Sequence, residues 1–465
     1  MNQGELAFLV LAAGKSTRMR SRVPKVLHPV CGRPILQHLV QLGRELGAGR
    51  TLVVVGADDD QVREALEGTG VELVVQREIL GTGHAVQQAA EQLRDHSGPV
   101  LVMYGDHPIY RPDTFRRLVD LQAKRDADLA LLVGEFPDPS GYGRIVRGSD
   151  GRIEQIVEEA DASPEVRDIH EINLGVYVAA APHLLDWVSR LSNQNQQGEY
   201  YLTDVVDLAL GEGRRVNTCS VEDWTEAIGV NNRADLAQVE KVLRLRLADH
   251  WMRQGVTLID PDHTYLDVDV EIGADTVIEP GCTLRAGTRI GSGCHISSGS
   301  VIDDSTLGDD VFIKPHCWIE SSRIGNGCEL GPSAHLRPNC TLADEVRIGN
   351  FVELKNSRIG PGTKADHLSY IGDADVGSGA SFGCGSITVN YDGALKHRTT
   401  VGDRAFIGCN ANLIAPVSVE ADAYVAAGTT VTQRVPSEAL GIGRVRQRNI
   451  EGWRARRFGK REQGD

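Results

Sequence analysis

Residues Glu271 to Ile302 read "EIGADTVIEPGCTLRAGTRIGSGCHISSGSVI", with an aliphatic side chain at every sixth position: Ile272, Ile278, Leu284, Ile290, Ile296 and Ile302. A helix repeats its buried face every 3.6 residues, so a strict six-residue period points to short strands joined by tight turns. The run then slips by one residue and resumes as Leu307, Ile313 and Ile319; slips to Ile324, Leu330, Leu336, Leu342, Ile348 and Leu354; slips to Ile359, Ala365 and Ile371; and slips to Val376, Phe382 and Thr388. After an insertion it closes as Val401, Ile407, Leu413, Val419, Val425 and Val431. Unbroken runs hold three or six members, so each slip falls at the same point of a three-sided coil. The expectation is a parallel β-helix of hexapeptides, about nine coils long. Cys282, Cys294, Cys317, Cys328 and Cys340 each stand four residues after a periodic aliphatic, a slot that suits a small apolar thiol packed inside the coil.

N-terminal to this region, "RADLAQVEKVLRLRLADHWMRQG", Arg233 to Gly255, is charged, free of proline and ended by glycine, which predicts a connecting helix. Before it, the apolar runs Leu6–Ala13, Leu52–Val55, Leu73–Val75 and Val100–Tyr104 alternate with helical patterns over Ile35–Leu46 and Ala85–Leu93. That alternation predicts an α/β domain with a parallel or mixed sheet. The expected division is 1–232, a linker helix over 233–255, and a β-helix with its tail over 256–465.

The chain has 465 residues, and 49 basic against 64 acidic side chains leave a net charge of −15. Such a balance disfavours general attraction to nucleic acid or anionic lipid, so a polyanionic ligand needs a local basic pocket. There is no apolar run of membrane-spanning length and no signal-peptide pattern, which gives a cytoplasmic expectation. Nine cysteines without a C-x-x-C pair fit neither a disulfide scaffold nor a zinc ribbon.

The loop "LVLAAGKSTRMRSRVPKVL", Leu9 to Leu27, ends a predicted strand and carries five basic side chains. Its GKST lacks the earlier glycine of a Walker motif, and Gly14 alone cannot make G-x-G-x-x-G. In open α/β sheets ligands sit beyond the carboxyl ends of strands, where the small residues of LAAG let backbone amides approach and Arg18 and Lys25 supply positive charge for a triphosphate. Asp106 in "VLVMYGDHP" follows another strand, where a carboxylate can hold Mg2+. "QREILGTGHA", Gln76 to Ala85, can read a base edge, and "GYGRI", "EQIVEEAD" and "EINLGVY" offer small and polar groups suited to sugar hydroxyls.

On the β-helix, the register stacks Arg337 on Lys355 about 4.8 Å apart, the separation of neighbouring strands. Two stacked cations make an anion site, with Glu353 as the acid that can neutralise them. His367, Cys384, Cys409 and Ala427 each lie two residues after the middle aliphatic of their coils, a column about 14 Å long that suits an extended pantetheine arm. Tyr370 and the inserted "NYDGALKHRTT" adjoin it.

The order LAAGKSTRM…PK, GTGHA, YGD, GYGR, EIN-x-G, GEYYLTD and GVNN resembles the sugar-phosphate nucleotidyltransferases, and with the β-helix it is similar, from about Leu6 to Trp453, to the family of bifunctional N-acetylglucosamine-1-phosphate uridyltransferase/glucosamine-1-phosphate acetyltransferases. The resemblance implies a Rossmann-like α/β nucleotidyltransferase domain followed by a left-handed parallel β-helix, in a homotrimer that supplies a cell-wall precursor. It implies Mg2+ on Asp106 and Asn231, and UTP and acetyl-CoA as co-substrates. Leu11, Ala12, Ala13, Gly14, Lys25, Gln76, Gly81, Thr82, Tyr104, Gly105 and Asp106 would line the nucleotide site, and Gly143, Glu158 and Asn173 would meet the sugar. His367 would be the general base of acetyl transfer. Arg337, Lys355 and Tyr370 would hold the amino-sugar phosphate, with Ser381 where relatives commonly carry asparagine. Cys384, Asn390, Tyr391, Cys409, Ala427 and Arg444 would meet acetyl-CoA, although Cys384 replaces a common alanine and Cys409 a frequent serine.

Three rival readings stand beside this one. The β-helix of a single-activity pyrophosphorylase could serve only assembly; the chain could be a catalytically dead scaffold; and Cys384 could act as an acyl-accepting nucleophile. The Arg337/Lys355 corner and the presence of Asp106, Asn231, Lys25 and His367 together oppose the first two.

Overall fold

The computed structural model describes residues 5–14, 17–124 and 127–459, so Lys15 and Ser16 of the opening loop lie outside the described residues. The chain divides into two compact units, 1–246 and 247–465.

In the first unit the described residues form a nine-stranded mixed sheet. Its main path runs Val216–Ser220, Leu129–Glu135, Glu171–Ala180, Pro99–Tyr104, Ala7–Leu11, Arg50–Gly56, Glu72–Gln76. The strand Ala7–Leu11 lies between Arg50–Gly56 and Pro99–Tyr104, parallel to both. Glu171–Ala180 runs antiparallel to its neighbours. The five residues Ala7–Leu11 are all buried because helices cover both faces, which is why such strands read as continuous apolar runs and not as alternation. Leu11 pairs with Tyr104, so the loops after these two strands leave the sheet side by side.

The predicted connecting helix spans Arg233–Arg253. The boundary between the two units falls inside it, at 246/247. The physical reason is local. Val239 packs with Ile228 and Val230, Glu240 accepts from the Cys31 backbone N–H at 2.7 Å, and Arg246 donates to the Ile109 carbonyl at 2.6 Å. Ala248 and Trp251, which follow within the next turn and a half, pack in the core of the second unit.

The second unit is the β-helix. Its described residues form three parallel sheets of eleven, ten and nine strands, each strand two to four residues long. Ile278, Ile296, Ile313, Leu330, Ile348, Ala365, Phe382, Ile407 and Val425 stack in one sheet; Leu284 to Val431 and Ile272 to Val419 build the other two. Every one-residue slip falls at the corner between the second and third of these walls. There Asp304, Ser321, Asn339, Asn356 and Asp373 take positive φ, a left-handed turn that Asn and Asp tolerate better than most residues. The insertion between Thr388 and Val401 occupies the same corner. The five repeat cysteines are buried, and Cys282 Sγ, Cys294 Sγ and Cys328 Sγ lie 3.2, 3.2 and 3.1 Å from carbonyl oxygens of the next coil. The helix begins two strands before Ile272, with Leu258 and Leu266 in the interior as the other two sides of that coil. Among the described residues, no helix is long and apolar enough to cross a membrane.

Candidate active sites

A cleft of about 270 Å3 opens at the carboxyl ends of the first unit's parallel strands. It is lined by Leu11, Ala12, Ala13, Gly14, Lys25, Gln76, Gly81, Thr82, Tyr104, Gly105 and Asp106, all expected from the sequence. Val26, Ile79, Ala85 and Glu199 line it as well. Glu199 belongs to the GEYYLTD motif, whose spacing carried no chemical signal by itself.

Several backbone features shape the cleft. Gly105 N donates to the Leu11 carbonyl at 2.8 Å, tying the two strand-end loops together. Gly81 has φ +111°, and a Cβ there would come within 2.6 Å of the Tyr200 carbonyl oxygen, so only glycine fits. Gln76, almost fully buried, donates to the Gly81 carbonyl at 3.2 Å and lies 3.0 Å from His84 Nδ1.

The charged centre is Asp106. Lys25 Nζ donates to its Oδ2 at 2.6 Å, and both side chains are four-fifths or more buried. Its Oδ1 lies 2.7 Å from His107 Nδ1, yet neither atom makes an aligned hydrogen bond. Burial raises this carboxyl, but His107 and Lys25 more than offset that and hold it far below the usual carboxylate range. A buried carboxylate oxygen without a hydrogen bond is a fit for a hard divalent cation. Val230 N donates to the Asp106 carbonyl at 2.9 Å, which brings the second expected ligand, Asn231, alongside. Arg18 does not line the cleft; its guanidinium donates to Asn231 Oδ1 at 2.8 Å, beside one of the two residues expected to hold the metal.

Gly143, Glu158 and Asn173 do not line this cleft but come together beside it. Asn173 N donates to the Gly143 carbonyl at 2.8 Å, a Cβ on Gly143 would lie 3.4 Å from Glu158 Oε2, and Asn173 Nδ2 donates to Tyr177 Oη at 2.7 Å. Burial pushes the Glu158 carboxyl up, and it accepts from Thr203 Oγ1 at 3.1 Å. Tyr104 connects the groups: its phenol is raised by burial and then by Glu158, and Gly175, at φ +66°, leaves the space its ring fills.

On the β-helix, Leu336, Leu354 and Ile371 stack in register, which places Arg337 over Lys355. Arg337 pairs with Glu353 at 3.1 Å, the neutralising acid considered above. The inserted loop forms a small hairpin bridged between Tyr391 and Lys396. It brings Lys396 against Lys355, whose ammonium is pushed below its usual range by Lys396 first and Arg337 after it. The structure thus puts Lys396 at the cationic corner. Asn390 is buried, donating to Asp373 Oδ2 at 2.5 Å and to Tyr370 Oη at 3.4 Å. Tyr391 is exposed and donates to the Gly393 carbonyl at 2.6 Å.

His367 is exposed, and its Nδ1 lies 2.9 Å from Asn350 Oδ1, its register partner on the preceding coil. An amide oxygen only accepts, so Nδ1 carries the proton and Nε2 is left as the basic nitrogen. Cys384, Cys409 and Ala427 follow on successive coils of the same wall, all exposed, and Arg444 donates to the Ala427 carbonyl at 2.6 Å. Ser381 is half-buried on that wall between Lys364 and Phe406.

Comparison with known proteins fits this geometry. Residues 8–199 match the MobA-like NTP transferase domain, 266–366 the GMPPB C-terminal domain, and 398–433 the hexapeptide repeat of succinyl-transferase. The bifunctional protein GlmU of Geobacillus sp. (strain WCH70) is 48% identical over 445 residues, covering 96% of each chain. Those of Geobacillus thermodenitrificans and Trichlorobacter lovleyi are 47% and 45% identical, covering 98% of both chains and 96% and 97%, respectively. The chain belongs to the bifunctional GlmU family. It is accordingly both a nucleotidyltransferase and an acetyltransferase of UDP-N-acetylglucosamine synthesis, and its β-helix is more than an assembly device. A solved UDP-glucose pyrophosphorylase complexed with UDP-glucose aligns with 51% of this chain and 98% of its own at 17% identity and a TM-score of 0.43.

Proposed function

We propose that the β-helix acetylates glucosamine 1-phosphate with acetyl-CoA at His367, and that the first unit then joins N-acetylglucosamine 1-phosphate to UMP from UTP. For the second reaction, the observation that counts most is the buried Asp106, bound by Lys25 on one oxygen and 2.7 Å from His107 Nδ1, out of line for a hydrogen bond, on the other. Asp106 and Asn231 would hold Mg2+, which when bound neutralises phosphate charge. The sugar phosphate is its own nucleophile: one of its oxygens bonds to the α-phosphorus as the bond to the departing pyrophosphate breaks, so the protein's work is positioning and charge stabilisation. The LAAG backbone, Lys25, Gln76 and Thr82 would seat the nucleotide, and Gly143, Glu158 and Asn173 the sugar.

For acetylation, Arg337, Lys355, Tyr370 and Lys396 would hold the sugar phosphate. The amine attacks the thioester carbonyl, its proton passes to His367 Nε2, and CoA leaves as the thiolate to be reprotonated. Ser381 offers one hydroxyl in place of an amide. Cys384, Cys409, Ala427 and Arg444 form one strip for the cofactor's arm, with Asn390 supporting Tyr370 from within and Tyr391 on the surface.

We further place the chain in a homotrimer in the cytoplasm, with acetyl-CoA between neighbouring β-helices. Phe406 and Tyr424, stacked at 5.2 Å, and Leu440 form an exposed apolar strip beside that corner, which suits burial against another copy. The test supplies glucosamine 1-phosphate, acetyl-CoA, UTP and Mg2+ and follows CoA and pyrophosphate separately. Both products should form, and a chelator should stop pyrophosphate release while CoA release continues. CoA release that stops with the metal, or a fully acetylating monomer by light scattering, would contradict the assignment.

A further inference from the structure

Of the nine cysteines, seven are withdrawn from solvent. Cys31 and the five repeat cysteines are buried and Cys219 is half-buried, and burial pushes the thiols of Cys282, Cys317 and Cys328 up to about 11. Cys384 and Cys409 alone are exposed. They are also neighbours. Phe382 pairs in register with Ile407, each cysteine stands two residues beyond its aliphatic, and Asn410 N donates to the Cys384 carbonyl at 2.8 Å. Neighbouring strands lie about 4.8 Å apart, inside the roughly 4.4–6.8 Å between Cα atoms that a disulfide spans.

The surrounding residues favour a link. A Cβ on Gly383 would fall 2.9 Å from Cys409 Sγ, so that thiol leans across the chain beside Cys384. Cys384 sits between Gly383 and Gly385, and Gly408 precedes Cys409, so little side-chain bulk shields the pair and the backbone can adjust.

We propose that Cys384 and Cys409 are an oxidisable dithiol whose disulfide shuts off acetyl transfer and leaves uridyl transfer running. The oxidant is a hydroperoxide. One thiolate attacks the O–O bond, taking one oxygen as a sulfenic acid and releasing the other as water or alcohol; the second thiolate attacks the sulfenic sulfur and expels water. Two thiols lose two electrons in total, the peroxide gains them, and a dithiol reductant reverses the step by exchange. The effect on acetylation rests on the proposed cofactor strip: a rigid bridge would replace two separate thiols along the path of the thioester arm.

The test treats the full-length reduced enzyme with stoichiometric hydrogen peroxide, removes the oxidant, and maps peptides without reduction. The expected result is a Cys384–Cys409 link, acetyl transfer reduced by about tenfold or more, unchanged uridylation of N-acetylglucosamine 1-phosphate, and recovery with dithiothreitol. In C384S and C409S, each compared with its own untreated rate, both the link and the peroxide effect should vanish. The proposal is overturned if a reduced, acetylating enzyme forms no such link, if the linked enzyme acetylates at its reduced rate, or if inhibition persists in both variants. Absence of acetylation in the reduced enzyme would instead strike the proposed cofactor strip, and the peptide map would still decide whether the dithiol forms.

Discussion

Asn350 is the test of how His367 is made into a base. Its Oδ1 lies 2.9 Å from His367 Nδ1, and the two residues are register partners on adjacent coils, so the contact is fixed by the wall itself. Asn350→Ala removes the acceptor that keeps the proton on Nδ1 and leaves the ring free to rotate and change tautomer. Both groups have access to water, so the loss is that of an ordinary hydrogen bond, about 0.5–1.5 kcal/mol. At about 1.4 kcal/mol per decade, kcat/KM for acetyl transfer should fall roughly two- to twelvefold, far less than the 10²–10⁴ or so expected on removing the base itself. Asn350→Asp keeps an acceptor and adds a negative charge beside the imidazole, which favours its protonated form, so the acid limb of the pH–rate profile should move to higher pH. The assay is CoA release with glucosamine 1-phosphate as acceptor across about pH 5 to 8, which brackets the ordinary imidazole value of about 6.5, with uridyl transfer as the control. A full rate in Asn350→Ala, or an unmoved profile in Asn350→Asp, would refute a positioning role; a loss as large as that of His367→Ala would mean that Asn350 does more than orient.

Two other perturbations follow from local geometry. Gly175→Ala places a side chain at φ +66° against the Tyr104 ring; the backbone alone costs about 1–2 kcal/mol, and uridyl transfer should drop while acetyl transfer, measured on the same preparation, stays constant. Asp204 has its carboxyl pushed up to about 6 by burial and by Asp207, Glu158 and Asp161. A raised folded-state pKa means that the folded chain holds this proton longer than the unfolded chain, so its cost is absent well below pH 4, grows between roughly pH 4 and 6 and is complete above. Asp204→Asn should therefore stabilise the fold more at pH 7.5 than at pH 4.5, by a free energy on the order of 1 kcal/mol after allowing for the solvent that reaches this half-buried group, seen as a larger rise in Tm by calorimetry at the higher pH.

The β-helix was legible because each strand offers one interior position and an aliphatic must fill it; even the weak members Ala365 and Thr388 keep the register. Leu258 falls outside the period because the turn over Pro261–His263 stretches its interval to Leu266 to eight residues. In the first unit the apolar runs gave the strands, but no local pattern can announce that Lys25 lies on Asp106, 81 positions away, or that Arg18 reaches Asn231 across 213. Those contacts come from the way the sheet brings distant loops together, and they set Arg18 on Asn231 instead of in the cleft lining. No repeat could put Lys396 beside Lys355: a seven-residue insertion has no register, and only its hairpin returns the lysine to that corner. Asn350 gave no signal because its partner is one coil later.

The central claim is that two chemically independent sites lie in the two units, one built on Asp106 and one on His367. The direct measurement is both activities in both variants, each shown to be folded. Asp106→Ala should abolish pyrophosphate release and keep CoA release, while His367→Ala should slow acetyl transfer by about 10²–10⁴ and still uridylate N-acetylglucosamine 1-phosphate. Equal loss of both activities in either variant would contradict the claim, as would acetyl transfer that survives in His367→Ala and dies in Cys384→Ser.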